Sequence, residues 1–293
     1  MPPIQCRVFE PSDIDFALRV GAEAGWNQVA ADWRRTLAHA PQGCFLATCD
    51  GQPAGTVTTT AYGTTLAWIG MMLVDPSFRR RGVATQLMNR SIQYLRDCQV
   101  QCIKLDATPA GHQVYQRLGF QDERIFHRWV CTLPPLRGGS LNDLSNEQPF
   151  AATDPPVGTQ SFDRERWAVP DRAAFGADRG AWLTRLASDS QLVQCDAGYG
   201  MLRPGRLASY LGPLVADSLQ DATYIVSQLL SLPNRQRPLQ VFWDIPGDNR
   251  PAESLAEQLG FKPVRELIRM WLEQPLSVPR PKSLYALGDP ATG

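Results

Sequence analysis

A surplus of either charge is missing from this sequence. Its 29 Lys and Arg stand against 29 Asp and Glu, a formal balance of zero. That argues against a protein held to nucleic acid by bulk charge, because phosphate binding draws on an excess of cations. Histidine is scarce, with only His39, His112 and His127 in 293 residues. The seven cysteines (Cys6, Cys44, Cys49, Cys98, Cys102, Cys131 and Cys195) contain no CxxC pair. Few imidazoles and scattered, odd-numbered thiols predict neither a zinc site nor a disulfide framework. No apolar run approaches the roughly 18–20 residues of a membrane span. The opening "MPPIQCRVFEPSD" lacks the basic-then-apolar order of a signal peptide. The expectation is a cytoplasmic chain with reduced cysteines, no metal, and no nucleic-acid or membrane partner.

What is present is enough apolar residue, 43%, for sizeable cores, and a length comfortable for two domains. The first unit, residues 1–133, reads as mixed α/β. A short strand in "IQCRV" leads to the helix-start signal Pro11-Ser12-Asp13, and a second helix fits 28–40. "GCFLATC", "PAGTVTTTAYG" and "LAWIGMMLVD" form a meander with a hairpin at Asp50-Gly51. The last of these is nearly all apolar and predicts a central strand buried on both faces. A helix follows, its stripe made by Val83, Leu87, Met88, Ile92 and Leu95. "QCIKLDA" is a further strand, "GHQVYQRLGF" a short helix, and "DERIFHRWVCTL" a strand that closes the unit. Residues 134–158, rich in Pro, Gly, Ser and Asn, read as a linker. Residues 159–275 echo the first unit: "NRPAESLAEQLGF" repeats the short helix and "ELIRMWLE" the last strand. A Pro-rich tail, 276–293, carries Leu284, Tyr285 and Leu287, which suggest that part of it packs down.

The stretch "VDPSFRRRGVAT" puts Arg79, Arg80 and Arg81 directly before a helix N-terminus, where the helix dipole is already positive. An anion would resolve that conflict. The turn exposes backbone N–H groups, Gly82 permits close approach, and Ala84 is small. Together they make a pocket for a phosphate or pyrophosphate. The alternative on chemistry alone is a solvated basic helix start.

"VDPSFRRRGVATQLM" also resembles the acyl-CoA motif of the GNAT superfamily of acyltransferases, (R/Q)-x-x-G-x-(G/A), with Arg79, Gly82 and Ala84 in its defining positions. "VYQRLGF" is similar to the family's later motif at Tyr115, Gly119 and Phe120. The resemblance covers roughly residues 4 to 133. It implies a mixed, mostly antiparallel twisted sheet flanked by helices. It also implies a pyrophosphate held by the backbone of Arg79, Arg80, Arg81, Gly82, Val83, Ala84 and Thr85, and a pantetheine arm paired along Leu73 and Val74. The cosubstrate would be acetyl-CoA, and Tyr115 would act as general acid at the thioester sulfur.

For the general base, Asp106 in "IKLDATPAG" is the candidate, with helix capping as its other reading and a water chain as the other route. The second unit lacks both motifs: Ala256 stands where Tyr115 would, and "ADSLQDAT" has no RxxGxA. The whole chain resembles tandem GNAT proteins with a degenerate second domain. Asp217 and Asp244 could face a cationic acceptor or serve as ordinary loop and capping carboxylates. The expected function is transfer of an acetyl group to an amine, small molecule or protein, by direct attack in a ternary complex, in a monomer or homodimer. The alternative is a non-catalytic acyl-CoA-binding sensor or scaffold.

Overall fold

The computed structural model describes residues 3–134, 161–231 and 239–293. The linker read at 134–158 lies, from residue 135 on, outside them. The first half runs β1 (Ile4–Val8), α1 (Ile14–Glu23), α2 (Ala30–His39), β2 (Phe45–Cys49), β3 (Gln52–Tyr62), β4 (Leu66–Val74), α3 (Val83–Asp97), β5 (Cys102–Ala107), α4 (Pro109–Arg117) and β6 (Gln121–Leu133). The local reasons are visible in the sequence. Asp13 accepts the backbone N–H of Glu10 at 2.8 Å and so fixes the turn into α1. Asp50 and Gly51 both take positive φ, 52° and 74°, the geometry of a tight hairpin. All five apolar-stripe residues of α3 are buried.

The second half repeats the order. It runs α5 (Arg164–Phe175), α6 (Gly180–Ala187), β7 (Gln191–Cys195), β8 (Gly198–Arg203), β9 (Ser209–Ala216), α7 (Leu219–Leu230), β10 (Leu239–Pro246), α8 (Arg250–Gln258) and β11 (Lys262–Glu273), and a short β12 (Leu284–Ala286) follows.

One point differs from the expectation. β6 does not close the first unit. The sheet runs β1-β2-β3-β4-β5-β11-β6-β10-β9-β8-β7, so each half lends its last strand to the other. β11 lies antiparallel to both β5 and β6, and β6 lies between β11 and β10. The exchanged strands fit the cores they enter. Met270 of β11 packs with Leu87, Ile103 and Phe120 of the first half, and Trp129 of β6 packs with Val241, Trp243 and Leu255 of the second. Alternation identifies a strand and its buried face, but it does not say which strand lies beside it.

Helices cover both faces. Phe45 and Leu46, neighbours on β2, enter opposite cores, as a pleated strand requires. α3 and α4 lie on the Phe45 face; α1 and α2 lie on the Leu46 face. α5 and α6 share the α1/α2 face, where His39 of α2 meets Trp182 of α6 edge-on at 5.4 Å between centroids. Among the described residues no helix is long and apolar enough to cross a membrane, and no group of three or more His, Cys, Asp or Glu could hold a metal. All seven cysteines are free thiols.

Candidate active site

The site begins where two parallel strands part. β4 pairs β5 only at Leu66, Ala67 and Trp68. Beyond Trp68 a bulge in the β3/β4 pairing, between Thr56 and Thr58, puts Met71 at φ 46° and bends β4 away. Thr56 Oγ1 holds the bulge by donating to the Met71 carbonyl at 2.9 Å. The divergence opens a cleft of about 840 Å³ with Leu73 and Val74 on its wall.

The arginine stretch forms one end of this cleft. Asp75 accepts the Ser77 N–H at 2.9 Å and an Arg19 Nη2 contact at 2.8 Å, which anchors the turn. Arg80 (φ 60°) and Gly82 (φ 89°) then bring the chain to the start of α3, whose N-terminus has no side-chain cap. Its first amides are therefore free to meet an anion. Arg79, Arg80, Gly82, Val83, Ala84 and Thr85 line the cleft. Arg81 does not: it stacks over Phe78, 5.4 Å from the ring centroid, because the turn at Gly82 directs it away.

Tyr115, on α4, lines the same cleft, with its ring over Gly111 and edge-on to Phe120. Among the described residues its hydroxyl has no hydrogen-bond partner. Burial pushes the phenol up to about 12, so it is a proton donor throughout the neutral range.

Asp106 also borders the cleft, but both its oxygens are engaged by Arg269 of β11, at 2.9 and 3.0 Å. Its side chain is 0% exposed. Arg269 in turn lies 4.5 Å over the Trp68 ring. Burial raises the Asp106 carboxyl, and the guanidinium opposes that rise. Asp106 thus anchors β11 to β5. Asp106→Asn is expected to cost about 3–5 kcal/mol of stability, since it leaves Arg269 buried without its counter-charge. Urea unfolding checks this; a residue acting only as a base would leave the midpoint in place. Asp244 is similarly occupied. It holds Arg128 through two 2.8 Å bonds and accepts the Tyr210 hydroxyl, so it does not face an acceptor. Asp217, exposed, pairs with Arg280.

The opposite wall was not legible from the motifs. It is made by Ala24–Gln28, Met71, Arg128, Arg265, Leu267 and the tail residues Pro290 and Ala291. Asn27 fixes this wall to the second half: its side chain accepts the Leu207 and Ala208 N–H groups and donates to the Ala208 carbonyl. The tail is held by Tyr62, whose hydroxyl donates to the Thr292 carbonyl at 2.6 Å, and by Trp68, whose Nε1 donates to the Pro290 carbonyl at 3.2 Å. One signal existed. Gly70 interrupts an apolar strand, and a Cβ there would lie 2.6 Å from Ala291 Cα. Gly70→Val is expected to push the tail off β4 at a cost of about 1–3 kcal/mol. Faster amide exchange confined to the tail and its contacts would register the loss.

The equivalent place in the second half is filled. β9 pairs β10 in parallel only at Ser209, Tyr210 and Leu211. In the gap beyond lies β12, which pairs with β9 at Leu284 and Ala286. On the other side the Leu287 N–H donates to the Asp244 carbonyl, and Trp243 Nε1 donates to the Tyr285 carbonyl. Ser218 caps the N-terminus of α7 by accepting the Asp221 N–H, and Ala256, in the place of Tyr115, is buried. The second half keeps a bulge between Gly200 and Leu202, but the strand gap and the helix start, both open in the first half, are occupied in the second.

Comparison with known proteins follows the same division. Residues 14–120 match the acetyltransferase (GNAT) family model, and residues 168–286 match an acetyltransferase (GNAT) domain model. Together the two models span more than half of the chain. An uncharacterised N-acetyltransferase of Bacillus subtilis (strain 168), YitH, is 25% identical over 260 residues, 83% of each chain. The crystal structure of a candidate acetyltransferase from Pyrococcus horikoshii superposes with TM-score 0.80 at 24% identity, over 99% of this chain and 96% of that one. A tandem GNAT protein from the clavulanic acid biosynthesis pathway gives TM-score 0.65 at 15% identity, over 94% of this chain and 100% of that one.

Proposed function

Since the chain belongs to the GNAT acetyltransferase family, with one such domain in each half, we propose that it transfers an acetyl group from acetyl-CoA to an amine. In this reading the first domain alone binds the cosubstrate. The observation that carries it is the uncapped start of α3 facing a cleft between diverging strands, with Arg79 and Arg80 beside it.

The free amides of residues 82–85 and the two guanidinium groups hold the pyrophosphate. The bent edge of β4, at Leu73 and Val74, takes the pantetheine arm as an added strand would be taken. That aligns the thioester with the bulge at Met71 and with the Tyr115 hydroxyl. The amine enters from the other face, loses its proton to water, and attacks the carbonyl. Tyr115 gives its proton to the departing sulfur, and the proton that the nitrogen sheds as the amide forms restores the phenol through water. Holding both reactants in one cleft accounts for direct transfer without a covalent enzyme intermediate. A cytoplasmic location and action as a monomer are compatible with this reading.

Calorimetric titration with acetyl-CoA tests it. One site per chain is expected. Two sites would mean that the second domain also binds, and none would remove the transferase reading. Tight binding with no turnover across a broad amine panel would favour an acyl-CoA sensor.

A further inference from the structure

The cleft carries a surplus of positive charge. Its lining includes five arginines (Arg79, Arg80, Arg117, Arg128 and Arg265) and one carboxylate, Asp106. The chain as a whole is neutral, so this imbalance is local. Asp106 offers nothing to an incoming cation, because Arg269 engages both its oxygens. Arg79 and Arg80 flank the start of α3, on the cosubstrate side.

That leaves the far wall. Arg265 and Leu267 alternate along β11 with Arg269, and Leu267 packs in the core beneath α5 and α6. Arg265 therefore stands on the face opposite α3 and α4, the face from which an acceptor must come. Its cross-strand partner is Arg128 of β6. Arg128 is compensated: Asp244 holds it in a bidentate pair, and it stacks over Tyr210 and Phe242. Arg265 has no ion pair or side-chain hydrogen bond among the described residues. Desolvation, and after it the Arg128 charge, lower its pKa from the ordinary arginine value, and the nearby Asp244 charge only partly opposes them. A guanidinium beside another guanidinium, at the mouth of a cleft and with no carboxylate bonded to it, is matched in shape and charge by a carboxylate from outside. A polycation or a lysine-rich segment would meet repulsion at the same spot.

We propose that the acceptor is an amine that itself carries a carboxylate, as a free amino acid does, and that Arg265 binds this carboxylate with Arg128 behind it. This rests on the acetyl-transfer reading above. It also gives the second domain a part in the site: β11, which carries Arg265, belongs to that domain, and Asp244, which holds Arg128, lies on its β10.

The test uses the full chain and a panel of L-amino acids with small, branched, aromatic and basic side chains. Each is compared with its carboxamide and its decarboxylated amine. Turnover is followed as release of the CoA thiol. Binding of the N-acetylated forms to CoA-saturated protein is followed by thermal shift. The best acceptor is expected to be a carboxylate, favoured over its carboxamide at least tenfold in kcat/KM. In Arg265→Gln, KM for that acceptor should rise at least tenfold, KM for the carboxamide should stay in place, and the acetyl-CoA Kd should not move. Amides or plain amines used as well as the acids would overturn the proposal, as would a preference that survives Arg265→Gln. If acetyl-CoA binds but no carboxylate is preferred in either measurement, this inference fails alone. If acetyl-CoA does not bind, the transferase reading fails with it.

Discussion

Gly82→Asp is expected to weaken acetyl-CoA binding at least ~100-fold while the protein still folds. Gly82 sits at φ 89°, and a Cβ there would meet only Ile4 Cδ1, at 3.9 Å. The space exists; the backbone conformation is what disfavours a side chain, by about 1–2 kcal/mol. An aspartate at this position can cap the open amides of α3, which returns about 1 kcal/mol. Fold stability should therefore change little. Function should not survive, because the new carboxylate occupies the amides and repels the pyrophosphate that would use them. Charge-assisted hydrogen bonds contribute about 1.5–3 kcal/mol each, so losing one or two accounts for the stated factor. Gly82→Ala separates the causes: it introduces the strain without the charge and should lose no more than about tenfold. Calorimetry on both variants decides. Retained binding in Gly82→Asp would remove this loop from the cosubstrate site.

Tyr115→Phe should lower kcat by roughly 10²–10³ with the acetyl-CoA Kd unchanged. The ring carbons that lie over Gly111 and against Phe120 remain in the variant, so it keeps the shape of α4. What it loses is a hydroxyl with no partner among the described residues. The sign of the pH dependence follows from burial. A phenol raised to about 12 is protonated below that value and loses its proton only as pH rises through it. The wild-type rate should therefore climb with pH as the acceptor amine deprotonates, and show no descending limb until pH approaches about 12. An unchanged kcat in the variant would leave the thiolate to be protonated by water.

The turn proposed to hold the pyrophosphate was legible because its pattern is local. Arginines, a glycine and a small residue at fixed spacing before a helix describe one turn of chain, and the turn forms as that spacing predicts. Arg81 is the exception, because a spacing does not say which way each side chain leaves a turn. The far wall of the cleft was not legible. Arg128, Arg265, Asn27 and Ala291 come from segments up to 264 positions apart, and the two arginines meet through the exchange of β6 and β11. Asp106 shows the same limit from the other side: its type and strand were read correctly, but Arg269, which engages it, lies 163 residues away. Gly70 alone pointed across that distance, as a glycine where the strand had every other reason to carry a side chain.

The exchanged strands also bear on how the protein is made. When synthesis has reached Leu133, β5 and β6 both exist, yet the strand that belongs between them ends at Glu273, 140 residues later (273 − 133). At ordinary elongation rates that interval is roughly ten seconds or more. Throughout it the nascent first half lacks the partner for one edge of β5 and one edge of β6, and until β10 is made the other edge of β6 is unpaired too; such edges invite pairing with neighbouring chains. Ribosome-bound chains halted between these two points should accordingly be the species most dependent on chaperones.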